Sequence, residues 1–142
     1  MSRRYSCTLY RVTYTLHMPN ARNNLGDFGE QAAAAHLMKR GYVLLARKWR
    51  CAAGEIDLLM HDGSTLVFVE VRTRRGDLLG MAEESVGRAK QAKLIALAYA
   101  YLEAAGAPNE LPWRIDVVAL NIDRAGRVAR LRHIRDAVEE TR

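Results

Sequence analysis

Asp57 and Glu70 stand inside the most hydrophobic part of the chain, 54-GEIDLLMHDGSTLVFVEVRTR-74, and Arg72 follows Glu70 by two residues. The segment alternates as two strands of a hairpin do, with Asp62-Gly63 as a strong turn signal between them. The hairpin register decides whether the two acids meet. A two-residue turn at Asp62-Gly63 pairs Asp57 with Phe68 and Glu55 with Glu70, which leaves Asp57 diagonal to Glu70. A two-residue turn at Gly63-Ser64 pairs Asp57 directly with Glu70. A three-residue turn shifts the parity, and a bulge restores it. Under the two simplest registers the carboxylates lie within about 5 to 8 Å of each other. Arg72 shares their side of the strand, while Val67, Val69 and Val71 point the other way, into the core.

Two carboxylates that close repel one another, and each is unfavourable to remove from water. A divalent cation removes both problems. Mg²⁺ prefers carboxylate oxygen, keeps several waters, and commonly needs one or two protein carboxylates plus a phosphate. It polarises a phosphate and lowers the pKa of bound water, the minimum required for phosphodiester hydrolysis. The residues alone leave a second arrangement open, in which Asp57 and Glu70 are salt-bridged to Arg72, Arg74 or Arg114 and only hold the fold together.

The elements around the hairpin must position these groups. Asn24 is a fair N-cap for a helix over 25–40, with "QAAAAHLMKR" strongly helix-favouring and Gly41 as its stop. Phe28, Ala32, Ala35 and Met38 or Lys39 trace its expected apolar stripe, and Glu30 lies one turn inside. A strand is expected near 42–50, then the two hairpin strands. The longest helix lies within "ESVGRAKQAKLIALAYAYLEAAG", with Val86, Ala89, Lys93, Leu94, Leu97, Tyr101 and Leu102 near one stripe. "WRIDVVALNI" reads as a buried strand, and "RVARLRHIRD" as a final one without clean alternation. The order helix, three strands, helix, then one or two strands predicts a mixed α/β domain of three layers.

The chain has 142 residues, 49% of them hydrophobic and 27% charged, as expected for one globular domain. No apolar run approaches the roughly 18 to 20 residues of a membrane span, so no membrane partner is expected. Cys7 and Cys51 make no metal or redox pattern, and a reduced, cytoplasmic chain is the simple expectation. His17, His36, His61 and His133 are scattered without ligand spacing. The formal charge is +6, but Arg3, Arg4, Arg11 and Arg22 all precede the first acid, Asp27, so the remainder is nearly balanced. Nucleic-acid binding must therefore rest on local clusters: Arg47, Lys48 and Arg50 around Trp49, and Arg74, Arg75, Arg88, Lys90 and Lys93 near the acids. Residues 1–24 read as an N-terminal extension to a single domain over 25–142. Met18 is a second candidate start.

Asp57, Glu70 and Arg72 together resemble the PD-(D/E)XK nuclease superfamily, with Arg72 in the place of the lysine. The longer runs "GDFGEQAAAAHLMKRGYVLLARKWRCAAGEIDLLMHDGSTLVFVEVRTR", "RAKQAKLIALAYAYL" and "WRIDVVAL" resemble the YraN family of bacterial proteins, thought to be related to Holliday-junction resolvases. The likeness spans Leu25 to Leu120. It implies a restriction-endonuclease-like core of αβββαβ order with a mixed sheet. It also implies a metal held by Asp57, Glu70 and the backbone carbonyl of Val71, with Glu30, Arg72 and Gln91 as further site residues. The implied cofactor is Mg²⁺, with Mn²⁺ as a substitute, and the implied partner is nucleic acid, DNA above all. A resolvase needs two active sites and hence a homodimer. Arginine stays protonated and cannot act as a general base, although it holds phosphate oxygens well. Arg72 thus leaves two expectations: a metal-dependent endonuclease for branched DNA, or a weakly active or inactive nucleic-acid-binding domain of the same fold.

Overall fold

The computed structural model describes residues 25–76 and 86–139. The extension over 1–24, and with it the question of Met18, lies outside the described residues. In chain order the elements are α1 (Leu25–Lys39), β1 (Val43–Cys51), β2 (Gly54–Asp62), β3 (Thr65–Arg75), α2 (Arg88–Ala104), β4 (Trp113–Ile122) and β5 (Val128–Ile134). The strands form one sheet in the order β1-β2-β3-β4-β5. Every neighbouring pair is antiparallel except β3 and β4, which are parallel and joined through α2. The αβββαβ order and the mixed sheet follow the sequence reading, and the final strand read in "RVARLRHIRD" is β5, an antiparallel edge.

Alternation along β3 sorts the core into two layers. Val67 and Val69 lie with Leu58, Met60, Val118 and Leu120 beneath Ala33, Ala34 and Leu37 of α1. Leu66 and Phe68 lie with Leu59 and Ile115 beneath Leu94, Leu97, Ala98 and Tyr101 of α2. The sheet is therefore covered on both faces, so its inner strands read as apolar runs rather than clean alternation. Trp49 sits at the edge of the α2 layer, edge-on to Tyr101 with ring centroids 5.2 Å apart.

The stripe expected for α1 is displaced. Phe28 is 36% exposed and Met38 52%, while Gly29, Glu30, Ala33, Ala34 and Leu37 are buried. The cause is Gly29. A Cβ built there would stand 1.8 Å from Thr73 Oγ1, so only glycine lets the helix approach β3 this closely. That approach turns the small residues and Glu30 inward and leaves the bulkier Phe28 outside. In α2, Leu94, Leu97 and Tyr101 are buried as expected, whereas Ala89 and Lys93 are exposed.

Candidate metal centre

The β2–β3 hairpin turns on Gly63 and Ser64, since Asp62 pairs with Thr65. Gly63 has φ 59°, and a two-residue hairpin loop takes glycine at a first central residue with positive φ. The ladder runs from there to Leu58↔Val69. One step further, the same register sets Asp57 opposite Glu70, as the second of the two registers required. At that step the pairing changes character. Asp57 Oδ2 accepts the backbone N–H of Val71 at 2.8 Å, so a side chain replaces the strand partner. β3 itself continues alongside β4 as far as Arg75↔Ile122. A strand residue sends its N–H and C=O to the same side, so the Val71 carbonyl leaves β3 on the side where Asp57 stands.

β1 brings a further group to the opposite side of β2. Arg47 pairs with Leu58 and Trp49 with Ile56, which leaves Lys48 facing Asp57. Lys48 has φ 52°, a conformation that disfavours a side-chain-bearing residue by about 1–2 kcal/mol. Its Nζ reaches α1, 2.5 Å from Asp27 Oδ1 and 3.3 Å from Glu30 Oε2. Arg47 Nη2 stands 3.7 Å from the same Glu30 oxygen. These are ion pairs without hydrogen-bond alignment to Glu30, whose Oε2 is buried and accepts no hydrogen bond.

Carboxylates thus converge from three elements. Carboxylate oxygens of Glu30, Glu55 and Asp57 all lie within 4.8 Å of one another. Glu55 is braced by Arg50 Nε at 2.7 Å, and Glu70 by Lys90 Nζ of α2 at 3.1 Å. A small cleft of about 10 Å³ runs past Asp57 and Glu70 beneath Leu94 and Leu97, room for one water-sized occupant. Burial, then the charge of Glu70, push the Asp57 carboxyl up to about 7, against the Val71 N–H; Glu30 adds to the push. Burial likewise raises Glu30, with Lys48 and Arg47 pulling the other way.

Asp116 shows what a protein-satisfied acid looks like in the same sheet. It is fully buried. Burial pushes its carboxyl up, yet His133, Arg114 and the backbone N–H of Asp136 together hold it below the ordinary aspartate range. Arg114 also bonds Tyr42 and Asp62. So the Arg114 that could have neutralised Asp57 or Glu70 serves a different acid, on a different network. Asp57 lacks comparable compensation. Hard oxygen donors in a crowded, half-buried cluster fit a small divalent cation, which would neutralise the repulsion that raises Asp57.

Of the residues expected at the site, Glu30, Asp57 and Glu70 are brought together, and Val71 enters through its backbone. Arg72 lies half-buried on β3, two residues past Glu70 and level with Ala119 of β4. Gln91 donates its side-chain N–H to the carbonyl of Val86 at 2.6 Å, closing the first turn of α2; its neighbour Lys90 makes the contact with Glu70. Glu55 and Lys48 also stand at this carboxylate cluster, where the sequence did not single them out. Glu55 had a signal, its two-residue spacing from Asp57. Lys48 had none, because positive φ at a lysine is invisible in sequence.

The sequence profile of UPF0102, described as an uncharacterised protein family, matches residues 29–120. The chain belongs to the UPF0102 family, the YraN family of the resemblance. It is 54% identical over 123 residues to a UPF0102 protein of Roseiflexus castenholzii, covering 87% of this chain and 99% of that protein. A UPF0102 protein of Chloroflexus aurantiacus is 50% identical with the same coverage. One of Pelotomaculum thermopropionicum is 46% identical over 120 residues, covering 84% of this chain and 99% of its own. No helix among the described residues is long and apolar enough to cross a membrane.

Proposed function

We propose that this UPF0102 protein is a Mg²⁺-dependent nuclease that hydrolyses DNA phosphodiesters, with branched DNA as the substrate class. The observation that carries the reading is Asp57. It is pushed up to about 7 beside Glu70 and Glu30, while Asp116 in the same sheet is fully satisfied by protein groups. Asp57, Glu70 and the Val71 carbonyl would hold the ion, with Glu30 and Glu55 supporting from α1 and from β2 itself. Bound Mg²⁺ supplies charge neutralisation at a phosphate and a more acidic water. The protein's own part is positioning and charge. Arg72 stays protonated, so it serves a phosphate oxygen and developing negative charge, not proton removal. Arg74, Arg75, Arg88 and Lys90 are exposed at neighbouring positions of β3 and α2, suited to tracking a backbone. Resolving a junction takes two cuts and therefore a symmetric pair of chains.

Arg72 favours the second reading, a nucleic-acid-binding domain of the same fold with little catalysis. Cleavage assays separate the two. The full chain, with Mg²⁺ or Mn²⁺, is incubated with junction, flap, single-stranded and duplex DNA beside Asp57→Asn. The nuclease reading predicts metal-dependent cleavage that the variant abolishes. Salt-sensitive binding of junctions without cleavage supports the second reading, and neither binding nor cleavage removes both.

A further inference from the structure

We propose that Lys48 is a positioning residue for the carboxylate centre: its ammonium anchors Glu30 and the first turn of α1 against β1, and so sets the affinity of the centre for a divalent cation. The inference rests on the metal-centre reading above. Three observations converge on it. Lys48 holds φ 52° in the middle of a strand, where asparagine or glycine would sit with less strain. Strained backbone persists where the surroundings over-determine it, and such places cluster at functional sites. Lys48 also faces Asp57, between Arg47↔Leu58 and Trp49↔Ile56, so the distortion falls beside the acids and not at a strand end. Finally, its ammonium joins two acids of one helix turn, Asp27 and Glu30.

Glu30 needs such an anchor. It is 6% exposed, and its Oε2 accepts no hydrogen bond. What fixes that oxygen is the pair of cations from β1, with Lys48 at 3.3 Å nearer than Arg47 at 3.7 Å. Lys48 is also the one that grips Asp27, three residues earlier on α1. With the tether cut, the first turn of α1 is free to lift from β1, and Glu30 leaves the group it forms with Glu55 and Asp57. Simple Coulomb reasoning predicts the reverse, since deleting a nearby positive charge favours cation binding. The two accounts therefore differ in sign.

The test is Mn²⁺ calorimetry on the full chain, with wild type beside Asp57→Asn, Lys48→Asn, Lys48→Arg, Glu30→Gln and the double variant Lys48→Asn/Glu30→Gln. Asparagine suits positive φ, which offsets the lost ion pairs to Asp27 and Glu30, so Lys48→Asn is expected to stay folded and to melt near the wild-type temperature. Its Mn²⁺ affinity is expected to fall about tenfold, the lower end of the range for losing a group that orients a ligand. Lys48→Arg restores most of the affinity. Glu30→Gln loses a similar amount, and the double variant loses little more, because both changes remove one interaction. Lys48→Gln, a long polar side chain without the charge, carries the same prediction should Lys48→Asn fold poorly. Unchanged or tighter Mn²⁺ binding in Lys48→Asn overturns the proposal, as do losses that add in the double variant. If Asp57→Asn abolishes binding and Lys48→Asn does not alter it, the positioning role fails and the metal centre stands. If wild type binds no Mn²⁺, both fail.

Discussion

Replacing Asp57 by asparagine should make the metal-free protein more stable at pH 8, although it removes a native hydrogen-bonded carboxylate. The folded state pushes Asp57 from 3.8 up to about 7. At roughly 1.4 kcal/mol per pH unit, ionising it in the folded state is unfavourable by up to about 4 kcal/mol. The asparagine side chain resembles the protonated acid in shape and charge and avoids that penalty. Water reaching the half-buried carboxyl screens part of it, so a gain of about 2 kcal/mol is the working value. The sign follows from proton binding. Between about pH 4 and 7 the folded chain holds a proton on Asp57 that the unfolded chain has released, so wild-type stability falls as pH rises through that window. The Asp57→Asn curve lacks this contribution. The two should meet near pH 4 and diverge to the full difference by pH 8. Urea unfolding in EDTA across pH 4.5–8 measures it. Millimolar Mg²⁺ should then stabilise wild type, by about 2.7 kcal/mol at a hundred times Kd, and leave the variant unmoved. A variant less stable than wild type at pH 8 in EDTA refutes the reasoning, for it would mean that Asp57 is already satisfied by protein cations.

Asp116→Asn should do the opposite, destabilising by about 3 kcal/mol at pH 7 because it removes the fully buried carboxylate that Arg114 and His133 share and leaves half-buried Arg114 with Asp62 alone, with Mn²⁺ affinity unchanged in calorimetry. Since the carboxyl of Asp116 is held below 3.8, its contribution is full above about pH 4 and is lost on acidification, which an acid-unfolding series of wild type and variant will show. Gly29→Ala puts a methyl against Thr73 Oγ1; unfolding experiments should show a loss of about 1–3 kcal/mol, and Mn²⁺ affinity should drop as α1 and Glu30 move away. Arg72→Lys should raise the rate of Mg²⁺-dependent DNA cleavage, measured at saturating DNA; a lower rate means that the guanidinium is the better partner for this site, and an unchanged rate that the two cations serve equally.

The hairpin was legible in the sequence because it rests on local rules. Period-two alternation and the turn residues left two simple registers, both of which put Asp57 and Glu70 on one side, and the structure takes the Gly63-Ser64 one. The layer order followed from the same periodicities. The face of α1 was not legible, since in an alanine-rich helix two stripes are equally apolar and the choice falls to one tight contact, Gly29 on Thr73. The Arg114–Asp116–His133 network was hidden for another reason. Arg114 and Asp116 are only two residues apart, but His133 lies 17 residues further on, and the β4–β5 pairing, Val118↔His133, brings it beside Asp116. Lys48 read as one of a basic trio with Arg47 and Arg50, and nothing local says that its φ is positive or that its ammonium reaches α1. What the sequence gets right here is alternation and turn chemistry; what it misses is close approach and long-range pairing.

Asp57 and Glu70, on this account, are ligands for one divalent cation. Calorimetric Mn²⁺ titration of wild type, Asp57→Asn and Glu70→Gln, each shown to be folded, tests that claim most directly. The expected result is a binding isotherm in wild type that disappears in both variants. An isotherm that survives both substitutions, or no binding by wild type with DNA present as well as absent, contradicts it.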